Sequence, residues 1–181
     1  MIEAKITNIL IKQRIYTRLE QEKIQYGVRI ILKEFYKLLL LYSVAFLLNC
    51  LLPTFIIHMV FYFIRQVAFG AHFQNAVSCI ICSILVFPIM ALILTSILIP
   101  MWVVWGIGAA AVFLILLKAP VGTGKHPIVN NQHRQYLRKK LYVRIVMINI
   151  VLLFSSESMQ SYIVYGLVIQ SGSMLIQGEL K

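Results

Sequence analysis

Arg65, Gly70, His72 and Cys79 stand close together in the sequence, in a stretch bordered on both sides by long apolar runs. A thiol is a strong nucleophile only as thiolate, and an imidazole is the usual side chain that takes its proton. His72 and Cys79 are therefore a candidate dyad for acyl transfer, with Arg65 beside them. Their spacing limits the geometry. Residues seven apart on an ideal helix share a face but sit ~10.5 Å apart along the axis, and both side chains lean toward the N-terminus, so neither reaches the other. A hydrogen bond between His72 and Cys79 thus predicts a break around Gln74 and Asn75, with Gly70-Ala71 permitting close approach of backbone. That places His72 in a loop or short helix at the membrane surface and Cys79 in the first turns of the next span. Asn75 or Gln74 is placed to orient the imidazole.

The same residues have plainer readings. A cysteine in an apolar run also serves as a small core hydrophobe. Cys79 and Cys82 have the spacing of a redox pair or, with His72, of part of a zinc site. The flanks offer no fourth zinc ligand, and the βαβ pattern that accompanies a redox pair is missing. Neither a metal nor another cofactor is expected.

The elements that must position this stretch are membrane spans. Of 181 residues 60% are hydrophobic and only 13% charged, against about 25% charged in soluble proteins, which predicts an all-α, polytopic integral membrane protein. The net charge of +11 flanks the apolar spans and lacks interleaved stacking aromatics, so it reads as topology and not as a nucleic-acid surface. Cys50, Cys79 and Cys82 are odd in number and lie in or beside apolar segments, which gives no disulfide framework.

Residues 1–37 are rich in Lys and Arg, too polar and too long for the basic region of a cleavable signal. Ile24, Val28, Ile31, Leu32 and Phe35 line one helical face, as Ile2, Ile6, Ile9 and Leu10 do earlier. With basic residues between them, this region reads as an amphipathic helix on an anionic inner leaflet. Residues 38–181 hold about six spans. Leu38 to Phe69 divides near Pro53 into two, and His58 inside the second reads as a structural histidine with a satisfied ring. Ala76 to Leu117 carries no charge and is too long for one crossing, so it turns at Pro100 into spans 76–97 and 101–117. Trp102 and Trp105 suit an interface, and Gly106, Gly108 and Ala109 to Ala111 suit close helix packing. Residues 118–140 form a basic loop without an acidic residue, expected to be cytoplasmic. The last spans are 141–154, with Arg144 snorkelling at its start, and 159–176, which contains Gly166, Ser171, Gly172 and Ser173. Six crossings put both termini, the basic loop and the stretch from Arg65 to Cys79 on the cytoplasmic side, where the thiol stays reduced.

The spacing Arg65-x4-Gly70-x-His72-x6-Cys79 closely resembles the motif of the accessory gene regulator B family, membrane cysteine endopeptidases that mature quorum-sensing peptides in Gram-positive bacteria. The segment from Ala119-Pro120 through Lys125 to Pro127-Ile128 is similar to a second family feature, an Ala-Pro followed by polar and basic residues and a proline. Relatives often carry more lysines where this chain has Gly124-Lys125-His126, and some carry paired glycines at Phe69-Gly70. The resemblance implies a multi-pass protein of the cell membrane and a short amphipathic peptide precursor with an internal Cys or Ser and an acidic C-terminal tail. The tail would be removed through a thioester on Cys79 and the remainder closed into a cyclic thiolactone or lactone. Arg65 and Lys125 are then candidates to attract the tail, the lipid bilayer is the surrounding partner, and the chain acts alone or as a homodimer.

Two other functions compete. One is a small transporter or channel with Arg65 and His58 along a polar path; the other is a non-catalytic assembly subunit, for which small-residue faces suffice. Against transport, the polar residues do not recur in matched halves and no pair of interrupted spans suggests an inverted repeat.

Overall fold

The structure is a computed structural model that describes residues 6, 9, 16–71, 75–122 and 130–179. Every regular element among them is helical. The chain divides into two compact units, Met1–Ser43 and Val44–Lys181.

The described part of the first unit is the bulk of α1 (Arg18–Leu47). Thr17 starts it: its amide and its hydroxyl both donate to Glu20 Oε2 at 2.8 Å, meeting an N–H that the first helical turn leaves without a partner. Arg18 and Glu22 add an exposed pair one turn apart at 3.6 Å. The basic amphipathic segment and the first apolar segment are thus one continuous helix, because nothing between Glu20 and Leu47 breaks it.

In the second unit, α2 (Leu51–Ala68) follows a turn at Asn49, whose φ is 53°. The break precedes Pro53, the expected divider. Pro53 lies in the first turn of α2, where a missing N–H removes no helical bond. Next come α3 (Ala76–Ile84), a π-helical turn (Leu85–Ile89) and α4 (Met90–Ser96). Pro88 in the π turn lacks an N–H and crowds the carbonyl of the preceding turn, which widens the helix there. The hydroxyl of Tyr165 reaches the Val86 carbonyl at 3.3 Å, and the Cys50 thiol reaches the Pro88 carbonyl at 3.4 Å. The helical path is interrupted after Ser96 and resumes at α5 (Met101–Lys118), whose N-cap is Pro100. Then follow α6 (Asn131–Leu153) and α7 (Glu157–Glu179).

The helix α6 begins well inside the expected loop 118–140. Its buried stripe is Leu137, Leu141, Ile145, Ile148 and Leu152, a 3.6-residue period that already starts among the basic residues. Asn130 caps it by accepting from the Gln132 amide at 2.9 Å.

The core lies where α7 packs on α2 and α5, and α6 packs against α2 and also touches α7. Ile64, Val104, Ala111, Ile115, Leu141, Val164, Leu167 and Met174 are buried together there. Glycine sets the spacing at two points. A Cβ on Gly166 would lie 2.9 Å from the Ile57 carbonyl oxygen and from Val60 Cβ, and one on Gly108 would lie 3.0 Å from Val164 Cγ2. Gly106, in the same small-residue stretch, faces nothing within 4 Å.

Among the described residues three helical stretches, Leu51–Ala68, Val77–Ser96 and Met101–Lys118, are long and apolar enough to cross a membrane. Large apolar side chains such as Trp102, Phe113, Val143, Val151 and Leu153 stand exposed on the outside, as lipid-facing surfaces do. The other expected spans lie in α1, α6 and α7, which carry more polar residues. In α7 two of these, Gln170 and Ser171, are buried among protein groups, so that face meets no lipid.

Candidate active site

The chain leaves the helical path between Ala68, the last residue of α2, and Asn75, the N-cap of α3. Asn75, between His72 and Cys79, is extended (φ −83°, ψ 125°), and the expected break falls there. His72 and Gln74 lie outside the described residues, as does Lys125, whereas Ala71 and Asn75 on either side of 72–74 are described.

The connector turns sharply where it leaves α2. Phe69 takes φ 57° and ψ −161°, its amide still donating to the Arg65 carbonyl at 3.0 Å, and Gly70 takes φ 150°. Gly70 is doubly required: its φ is one that L side chains rarely adopt, and a Cβ there would meet Ser173 Oγ at 2.5 Å.

Arg65 and α7 hold this bend. The Arg65 guanidinium donates through Nη1 to Ser173 Oγ at 3.0 Å and through Nη2 to the Ala71 carbonyl at 2.6 Å, and it lies 5.1 Å from the centre of the Phe61 ring. The Ala71 amide donates to the Ser173 carbonyl at 3.0 Å, so both backbone polar groups of Ala71 are tied down. One turn earlier on α7, the buried Gln170 donates through Nε2 to the Phe69 carbonyl at 2.6 Å. Arg65 was expected beside the dyad; Gln170 and Ser173 were not. The signal available for them is two polar residues three apart in an apolar run, which puts them on one helical face.

Cys79 sits in the second turn of α3, half-buried. Its amide donates to the Asn75 carbonyl at 3.1 Å, and its own carbonyl accepts from the Ser83 hydroxyl at 2.8 Å. The Asn75 side chain accepts from the Val77 amide at 3.1 Å, which is a helix cap. Its oxygen thus already has a structural task. No disulfide joins Cys50, Cys79 and Cys82. Among the described residues no group of three or more His, Cys, Asp and Glu could hold a metal ion. His58 packs edge-on against Phe87, ring centres 4.9 Å apart, and tilted against Tyr62.

The second sequence feature, Ala119-Pro120, meets the same end of α2. The Val121 amide donates to the Ala68 carbonyl at 3.0 Å, and Arg138 Nε donates to the Ala119 carbonyl at 3.3 Å. Arg144 does more than snorkel: its Nη1 donates to the Phe63 carbonyl, and its guanidinium lies 4.6 Å from the Phe63 ring centre. Arginines 65 and 144 thus sit at the carbonyl end of α2, where the helix dipole is negative.

The family profile described as Accessory gene regulator B matches residues 3–174. The chain is 28% identical over 173 residues to the accessory gene regulator protein B of Staphylococcus saprophyticus, covering 94% of this chain and 91% of that one. It is 30% identical over 155 residues to the protein of the same name from Staphylococcus aureus strain Newman, covering 84% and 80%. A putative AgrB-like protein of Listeria monocytogenes serotype 4a is 28% identical over 149 residues, covering 82% and 73%. No solved structure matches the chain.

Proposed function

Since the chain belongs to the accessory gene regulator B family, we propose that it is a membrane cysteine endopeptidase of quorum sensing, with Cys79 as nucleophile and His72 as base. Its substrate is a short amphipathic precursor peptide with an acidic C-terminal tail. The observation that carries this reading is the break between α2 and α3, non-helical at residues 69–71 and at Asn75. It removes the helical separation that would keep an imidazole at 72 from a thiol at 79, and it is held by the arginine and glycine that share their motif.

The reaction follows from the groups. His72 takes the Cys79 proton, and the thiolate adds to the carbonyl carbon at the cleavage point. The tetrahedral adduct collapses, the C–N bond breaks, and the imidazolium returns its proton to the departing amine of the tail. A thioester joins Cys79 to the N-terminal part of the precursor. The internal thiol or hydroxyl of that part then attacks the thioester carbonyl, releasing Cys79 and a cyclic thiolactone or lactone. Scarce water at the membrane edge favours this capture over hydrolysis. Residues 38–181 form the peptidase domain, with both termini and the site on the cytoplasmic face of a Gram-positive cell membrane, alone or as a homodimer. Arg65 with Gly70, and Asn75 with Gln74, support the dyad, while Lys125 and Arg65 draw the acidic tail.

The test is chemical. Incubated with the peptide encoded by a short adjoining reading frame with an internal Cys or Ser, the protein should gain the mass of the precursor's N-terminal part, and hydroxylamine should remove it. Cys79→Ala should give neither adduct nor cleavage while still inserting, and Cys82→Ala should give both. Cleavage by Cys79→Ala at the wild-type rate would end this reading.

A further inference from the structure

Packing alone does not account for the two polar side chains that α7 turns toward the connector. Gln170 is fully buried, and its Nε2 donates to the Phe69 carbonyl. That bond also fixes the orientation of the amide, since the reverse orientation would set oxygen against oxygen. Its Oε1 is buried and has no partner among the described residues. A leucine or methionine would fill the same place without stranding an acceptor. One turn later Ser173 gives its hydroxyl to Arg65 as acceptor and its carbonyl to the Ala71 amide. Phe69, Gly70 and Ala71 are therefore each fixed from α7: by a carbonyl bond, by a gap too small for a methyl, and by an amide bond. The backbone they fix, φ 57° at Phe69 and φ 150° at Gly70, persists only where its surroundings over-determine it.

We propose that Gln170 and Ser173 are positioning residues for the thiol chemistry, holding the bend at 69–71 from which the chain runs on to His72 and Cys79. The inference rests on the peptidase reading given above. Neither side chain touches reacting atoms on this account. They act through the backbone they hold, so that the approach of base to thiol is set from a helix that carries neither.

The experiment needs no substrate. In the full-length protein in nanodiscs, the rate at which iodoacetamide alkylates Cys79 is followed by peptide mass mapping across pH, for the parent and for His72→Ala, Ser173→Ala and Gln170→Leu. If α7 positions the base, Ser173→Ala and Gln170→Leu should move the pH profile toward that of His72→Ala and slow alkylation near neutral pH by about tenfold. Ser173→Ala removes one oxygen and carries the test should Gln170→Leu fail to insert. A merely structural role lowers the yield of folded protein and leaves the profile of the folded fraction in place; that result overturns the proposal. A profile that does not move even in His72→Ala overturns the dyad itself, a separate outcome.

Discussion

Arg65 and Ser173 stand 108 positions apart in the chain, yet Nη1 of one and Oγ of the other meet at 3.0 Å. Their bond closes the last turn of α2 onto α7 and passes beside Gly70, leaving that residue no room for a side chain. If the two act as one unit, their substitutions should not add. Arg65→Lys keeps the charge but loses the fork that reaches Ser173 and Ala71 together. We expect Arg65→Lys and Ser173→Ala each to reduce precursor cleavage at least about tenfold, and the double variant to cost little more than the worse of the two. Fully additive losses in a double-mutant cycle would show that the pair is not coupled.

Gly70→Ala meets two obstacles, the φ of 150° and the 2.5 Å approach to Ser173 Oγ. Combining it with Ser173→Ala removes the second and leaves the first. Cleavage should be lost in Gly70→Ala and only partly regained in the double variant, with thermal stability following the same order; backbone conformations of this kind cost about 1–3 kcal/mol in a residue with a side chain. Recovery to the level of Ser173→Ala alone would mean that contact, and not backbone conformation, governs the position.

Gly166 and Gly172 form an internal comparison on one helix. A methyl at 166 would press on the Ile57 carbonyl and Val60 at 2.9 Å, whereas one at 172 meets nothing within 4 Å. Gly166→Ala should lower stability in detergent by about 1–3 kcal/mol, the usual cost of overpacking, and Gly172→Ala should be neutral or raise it slightly. Thermal unfolding followed by size exclusion gives the comparison directly.

Orientation is read from labelling. With the natural cysteines replaced, a single cysteine at Asn130 should be protected from an impermeant maleimide added to cells, and one at Ser156 should react, because uncompensated Lys and Arg resist translocation. The opposite pattern would turn the protein over in the membrane.

Local physics made part of this structure legible from sequence. The geometric conflict between His72 and Cys79 required a break, and one is there. Pro100 marked the break in the uncharged run, whereas Pro88 in the same run opened a π turn without ending the helical path. Pro53 misled, because a proline fits the first turn of a helix as well as it ends one, and the break fell at Asn49 instead. The start of α6 was hidden by its charges, since a helix with one buried stripe tolerates arginine and lysine around the rest. The partners of Arg144 and Ser173 were not legible in the sequence. A snorkelling arginine and one that holds a carbonyl on another helix look the same, and a serine in an apolar span signals small size before it signals an acceptor.

The π turn at Leu85–Ile89 gives the thiol a lever arm. Tyr165 and Cys50 grip its carbonyls, and Phe87 and Pro88 are buried, while Val77 and Ile81 on the segment that carries Cys79 stand exposed. Cys79 thus lies about two turns from this gripped turn, ~10 Å along the axis. A tilt of about 10° at that turn would swing the sulfur by ~2 Å, more than the ~1 Å misplacement that already costs an enzyme about a hundredfold in rate.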